Sequence, residues 1–196
     1  MTDMLWIPIA FLSGSLPFSV WIGRLVLRQD IRGYGDQNPG ATNVLRAGGR
    51  PWFVLALILD ISKAAAPVGY TYQILGLRGW AMAAIAVAPV LGHAFSPFLR
   101  GQGGKAIAAT LGAWIGLTLY TVPLVGIVSL GVSYRLLTVS GWAVMSTLTA
   151  VLLYLLLFQP DPLLLAALAG HTAILVWKHR ADLRQRPGIR SSWRKT

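Results

Sequence analysis

Seven apolar runs divide the chain, at about 4–27, 51–76, 79–99, 105–120, 121–136, 138–159 and 162–178, and polar residues gather between them. An apolar run of about 20 residues has the length of a bilayer-spanning helix. The fourth and fifth runs, roughly 15 residues each, are short for that role, and length alone leaves open one long helix in their place. The first run follows Asp3 with no basic segment before it, so it is expected to stay as a span rather than be cleaved as a signal. Gly14-Ser15-Leu16-Pro17, Ala88-Pro89 and Val122-Pro123 are expected to interrupt spans, which membrane proteins tolerate where the backbone faces protein or a wet cavity. There is no internal repeat of the kind that builds transporters.

Composition agrees with a bilayer. Apolar residues make up 55% of the 196 residues and charged residues 12%, about half the usual share for a soluble domain. Yet 17 basic residues face 6 acids, all aspartate, for a net charge of +11. A soluble nucleic-acid binder would explain the charge but not the missing polar surface, so no nucleic-acid partner is expected. Charge placement then chooses the number of spans. With seven, fifteen of the seventeen basic residues share one side, Arg78 lies opposite and Lys63 lies within a span. Merging runs four and five would put the basic C-terminal segment opposite the first loop. The positive-inside rule therefore predicts an all-α polytopic membrane protein of about seven helices, N-terminus out and C-terminus cytoplasmic. Residues 1–178 form the membrane domain and residues 179–196 a basic cytoplasmic tail, most of whose charges serve orientation and contact with anionic lipid. Trp6, Trp52, Trp80, Trp142 and Trp177 fall near span ends, as an interfacial belt requires. The absence of cysteine, with three histidines, excludes thiolate chemistry and argues against a structural zinc site. No metal or cofactor is expected.

Candidate chemistry lies in the polar segments. Residues 30–46 are dense in Gly, Asn, Thr and Arg, and Thr42-Asn43 ahead of Val44-Leu45-Arg46 is expected to cap a short helix. Free amides at such a helix start, with Arg46 beside them, suit an anion, although arginines in a solvated loop fit the same residues. Gly103-Gly104-Lys105 opens the fourth run, again setting bare amides and an ammonium at a helix start. It is not a nucleotide-binding loop, because Leu99 stands where that motif needs glycine and no Ser or Thr follows Lys105. His93 lies near the end of the third run, and functional and structural roles are both open to it. Asp60 and Lys63 share a helical face and read as a structural pair facing the bundle interior, with a direct site role as the alternative. His171 reads as a hydrogen-bonded interior histidine.

Taken together, these segments resemble the bacterial acyl-phosphate:glycerol-3-phosphate acyltransferase family along nearly the whole chain. Gly14-Ser15-Leu16-Pro17-Phe18 with Gly23-Arg24, followed by residues Asn38 to Arg46, looks like its first motif. Asp60-Ile61-Ser62-Lys63 looks like its Asp-x-x-Lys. The run from Gly92-His93 to Gly103-Gly104-Lys105 looks like its second motif, and His179-Arg180 like the start of its third. The resemblance implies acyl transfer from acyl phosphate to the first hydroxyl of glycerol 3-phosphate, giving lysophosphatidic acid, in the bacterial cytoplasmic membrane. It implies phosphate held by the backbone at Gly40-Ala41 and by Thr42, Asn43, Arg46 and Lys105, with Asn38 in the same run and Gly103-Gly104 in the other. His93 would help bind glycerol 3-phosphate, and His179 and Arg180 would close the site. The chain departs from the family run at Asp36, where the family has serine, at Ala106, where it has glycine, and at Asp182, where it has asparagine. Asp36 beside a phosphate costs affinity unless it is protonated or paired with an arginine. An altered acceptor or donor is the alternative, with Asp36 recognising a hydroxyl or a cation, or acting as general base if its pKa is raised. An inactive or transport-like membrane protein is the other.

Overall fold

The structure, a computed structural model, describes residues 2–190, so the tail residues Arg194 and Lys195 lie outside the described residues. The seven apolar runs form separate helical units. The helices are α1 (Trp6–Ser15), α2 (Phe18–Leu25), α3 (Ala41–Gly48), α4 (Arg50–Gly69), α5 (Gly79–Ala94), α6 (Ile107–Thr118), α7 (Thr121–Leu136), α8 (Ser140–Phe158), α9 (Pro162–Lys178) and the short α10 (Arg180–Leu183). Among the described residues, four stretches are long and apolar enough to cross a bilayer, Asp3–Leu25, Arg50–Ile74, Gly79–Leu99 and Ser140–Phe158, and α6, α7 and α9 are shorter apolar helices. Runs four and five are two helices: Leu119 adopts φ 55° and turns the chain between α6 and α7. At twelve residues α6 spans only about 18 Å of a hydrocarbon core some 30 Å thick.

Of the three expected interruptions, only the first breaks a helix. Leu16-Pro17 separates α1 from α2, but α5 runs on through Pro89, and Pro123 sits in the first turn of α7, where a proline removes no internal hydrogen bond. Tight packing rests on small residues, the usual device where lipid supplies no hydrophobic drive between helices. A Cβ at Gly14 would overlap the Pro89 carbonyl, and one at Gly112 would overlap the Ile61 carbonyl, so these glycines set the contacts of α1 with α5 and of α6 with α4.

The break at Leu16 is satisfied internally. Lys63 Nζ donates to the freed Leu16 carbonyl (2.6 Å) and to Asp60 Oδ1 (2.8 Å), while Ser19 donates to Asp60 Oδ2 (2.6 Å) and Ser13 to the Lys63 carbonyl (2.7 Å). Asp60 and Lys63 are buried and satisfy each other and the broken helix. His171 is likewise interior: Nε2 meets the Ala86 carbonyl at 3.1 Å and the ring stands edge-on to Trp114.

The polar segments converge at one end of the bundle. Lys178 Nζ, near the end of α9, donates to the carbonyls of Ala94 (2.9 Å) and Gly103 (2.8 Å). Residues 179–190 fold back onto the helices: Leu137 pairs with Ile189 in an isolated antiparallel bridge, and Trp142 Nε1 donates to the Gln185 carbonyl (2.9 Å).

Candidate active site

Helix α3 starts differently from the sequence expectation. Its N-cap is Gly40, in extended conformation and without a side-chain cap, so Thr42 and Asn43 lie inside the first turn. Asn43, fully buried, is used otherwise: Nδ2 donates to the Asn38 carbonyl (2.8 Å) and to Asp36 Oδ1 (3.3 Å), and Oδ1 accepts from Arg46 Nη1 (2.8 Å). It shapes the loop and aims Arg46. The second segment also differs. The Gly104 amide is not bare but donates to the His93 carbonyl (3.0 Å), and α6 begins only after Ala106, which serves as N-cap with φ 64°. That left-handed conformation is one that glycine adopts without a Cβ penalty and alanine does not. Close packing explains the glycine pair: a Cβ on Gly103 would overlap the His93 carbonyl, and one on Gly104 would overlap the His93 ring.

These segments bring Lys105 between two carboxylates. Its Nζ lies 3.1 Å from Asp36 Oδ2 and 3.3 Å from Asp182 Oδ2, and Arg46 Nη1 lies 3.6 Å from Asp36 Oδ1. Asp182 also accepts from Ser140 Oγ (2.9 Å) and pairs with His179 Nδ1 (3.1 Å). Burial pushes the Asp36 carboxyl up, but Lys105, the Asn38 amide and Arg46 outweigh it and hold it below the ordinary 3.8. Asp182 has the same balance, with burial opposed by His179, Ser140 and Lys105, and is also lowered. Burial alone would lower the Lys105 ammonium, and the two aspartates raise it instead. Burial lowers His179 further than its bond to Asp182 raises it, so the ring is neutral at pH 7. With Asp182 ionised, the partner geometry assigns the His179 proton to Nδ1. Both carboxylates are thus anions at neutral pH, which opposes the reading of Asp36 as a general base with a raised pKa.

Two cavities meet at this cluster. One, of about 660 Å³, runs down among α4, α6, α7 and α8. Leu57, Leu111, Trp114, Ile127, Val144 and Leu148 line its depth, and Asp36, Asn38, Arg46 and Lys105 its mouth. The first turn of α3, Gly40 to Thr42, also borders it. The other, of about 740 Å³, is the more polar of the two, with Arg32, Gln37, Gly103, Lys178 and Arg180 on its walls beside Phe95 and Trp177. Asp36, Asn38 and Lys105 belong to both. His93 borders the apolar cavity together with Asp60, not the polar one. Arg180 stays at the rim, donating to the Trp177 carbonyl (2.9 Å) with its guanidinium over the Trp177 ring. Asn43 and Gly104 touch neither cavity. Ser140 and Lys178, which orient Asp182 and the Gly103 loop, carry no local motif: Ser140 begins a helix far from the other segments, and Lys178 reads simply as one more cation at a span end.

An all-helical bundle with a deep apolar cavity, a more polar one and cations at their junction has the features of a membrane protein that holds an apolar chain beside an anion. Comparisons with known proteins agree. The family described as glycerol-3-phosphate acyltransferase matches residues 4–186. The glycerol-3-phosphate acyltransferase of Maridesulfovibrio salexigens is 35% identical over 100% of this chain and 99% of its own length, and that of Pseudomonas paraeruginosa 36% identical over 92% and 95%. Among solved structures, PlsY, an integral membrane glycerol 3-phosphate acyltransferase, superposes in its glycerol 3-phosphate form with a TM-score of 0.84 at 26% identity, covering 94% of this chain and 91% of that one. Its lysophosphatidic acid form superposes with a TM-score of 0.82. The chain belongs to the glycerol-3-phosphate acyltransferase family.

Proposed function

We propose that this protein transfers a fatty acyl group from acyl phosphate to the first hydroxyl of glycerol 3-phosphate, producing lysophosphatidic acid and inorganic phosphate for phospholipid synthesis. The observation that carries the reading is the junction of an apolar and a polar cavity at Lys105 and Asp36. The acyl tail lies in the apolar cavity, glycerol 3-phosphate enters the polar one, and the two meet where Lys105 and Arg46 stand. An acyl phosphate is a mixed anhydride with a good leaving group, so no serine nucleophile is needed. The protein works by orienting two anionic substrates and by stabilising charge that develops on the carbonyl and the departing phosphate.

The roles follow from the contacts. Lys105 and Arg46 are the catalytic cations, and the first turn of α3, at Gly40, Ala41 and Thr42, adds the field of a helix N-terminus. Asn38 and Gly103 border the acceptor, and Arg180 guards its entrance. Asn43 and Gly104 act by positioning, through Arg46 and His93. Asp182 and His179 fix Lys105 from the side of α8 and α9. His93, bordering the tail cavity, reads as a wall of that cavity more than as an acceptor ligand. The protein works in the bacterial cytoplasmic membrane with its polar end inside, a sidedness supported by the fifteen basic residues that the order of spans in the sequence assigns to one side. Phosphoryl-bearing acyl donors should serve and thioesters should not. Purified protein given glycerol 3-phosphate and either palmitoyl phosphate or palmitoyl coenzyme A is expected to form lysophosphatidic acid with the first only. Equal use of the thioester would contradict the assignment of Lys105 and Arg46 to a donor phosphate.

A further inference from the structure

We propose that the Asp36 carboxylate is a built-in counter-anion, seated where a substrate's phosphoryl group binds and displaced when that group enters. The proposal rests on the reading above that Lys105 and Arg46 hold phosphate.

Both carboxylate oxygens of Asp36 are engaged. Oδ2 lies against Lys105 Nζ (3.1 Å), and Oδ1 faces Arg46 Nη1 (3.6 Å), Asn43 Nδ2 (3.3 Å) and the Asn38 backbone amide (3.4 Å). An ammonium, a guanidinium, a side-chain amide and a backbone N–H around one anion form the donor set that recognises a phosphate oxyanion. Asp36 fills that set from within, at the neck that the two cavities share.

Its position is also free to yield. The side chain is 43% exposed, and the residue lies in a turn between Gly35 and Gln37, both with positive φ (54° and 58°). Asp182 differs. Ser140 and His179 hold it independently of Lys105, and its side chain is 20% exposed. Two cations facing two carboxylates leave the unloaded cluster electrically balanced, with His179 neutral. An incoming phosphate dianion cannot share Lys105 and Arg46 with Asp36 without like-charge contact. Asp36 turns out to solvent while Asp182 stays on Lys105. When inorganic phosphate is left after transfer, the return of Asp36 competes it off. The device weakens phosphate binding and favours product release.

The test is equilibrium titration of inorganic phosphate into the full-length protein in detergent, comparing wild type with Asp36→Asn and Asp36→Ser. Removing a unit charge from beside a dianion is expected to tighten phosphate binding at least about tenfold, in one or both variants, and to strengthen phosphate inhibition of turnover likewise. Asp36→Glu, which keeps the charge, is expected to stay close to wild type. Unchanged or weaker phosphate binding in both neutral variants overturns the proposal. A loop damaged by substitution binds phosphate less well, so damage does not imitate the expected gain. If the variants tighten phosphate but wild type transfers no acyl group, the counter-anion stands and the substrate assignment falls. If wild type turns over and the variants do not tighten, only the counter-anion falls.

Discussion

Lys105 holds its charge because two aspartates hold theirs, and the four titrating groups of the cluster set its pH range. Asp36 and Asp182 lie below the ordinary 3.8 and His179 below the ordinary 6.5, so all three take up protons less readily in the fold than in the unfolded chain. The unfolded state therefore binds more protons as the pH falls, and stability falls with it. The contribution of His179 is complete above about pH 6.5 and is lost below it. That of the aspartates is complete above about pH 4 and is lost as the pH falls through their lowered native values. Lys105, raised above 10.5, acts in the opposite sense and contributes below that pH. Melting of the purified protein is expected to be level from about pH 7 to 9 and to decline on acidification below about pH 6.5, with a steeper decline in Asp182→Asn, which removes the acceptor that raises His179. A melting temperature independent of pH down to about 4 would contradict the burial of a neutral His179, and one with no further decline below about pH 4 would contradict the aspartate ion pairs. From the sequence, Arg46 and Lys105 stood out because Gly-rich segments framed them. Asp36 and Asp182 stood out as departures from a family run. The resemblance places Arg46, Lys105 and Asp36 at one phosphate site, but the direct pairing of Lys105 with both Asp36 and Asp182 was not readable, since the contacts join residues up to 77 positions apart. Ser140 and Lys178 had no signal at all.

At the level of elements, the decisive feature is a helix that stops inside the membrane. Leu16-Pro17 frees a carbonyl at depth, and Lys63 of α4 satisfies it while Asp60 and Ser19 satisfy Lys63. Methionine in place of Lys63 would leave the Asp60 charge buried without its cation and the Leu16 carbonyl without a donor. Removing one partner of a buried pair costs about 3–5 kcal/mol, and a loss of at least about 3 kcal/mol is expected for Lys63→Met in reversible unfolding. A loss below about 1 kcal/mol would mean that solvent already reaches the pair. Apolar run lengths and charge placement foretold the helical units well, including separate fourth and fifth helices. Proline was the poorer guide. It breaks a helix only where its turn and a neighbour's donor coincide, as at Pro17, and otherwise sits in a first turn or within a continuous helix, as at Pro123 and Pro89. The start of α3 was misread because Thr and Asn are the common capping residues, whereas here Asn43 is needed to tie Asn38 to Arg46.

For the whole molecule, the bundle divides its interior by polarity. Gly126 of α7 borders the apolar cavity, and an added Cβ there meets no atom within 4 Å. A leucine at that position is expected to extend into the cavity space. At about 0.8 kcal/mol per methylene displaced from an apolar site, Gly126→Leu is expected to cut kcat/KM for the longest acyl phosphates by about tenfold or more and to leave short-chain donors nearly unchanged. A uniform loss across chain lengths would mean that the tail lies elsewhere. The most direct measurement compares acyl transfer by purified wild type with that of Lys105→Ala, by following phosphate release and lysophosphatidic acid together from palmitoyl phosphate and glycerol 3-phosphate. Wild type is expected to release the two products in equal amounts, and Lys105→Ala to fall by about two to three orders of magnitude while remaining folded. Full turnover in Lys105→Ala, or none in wild type, would contradict a reaction centred on Lys105.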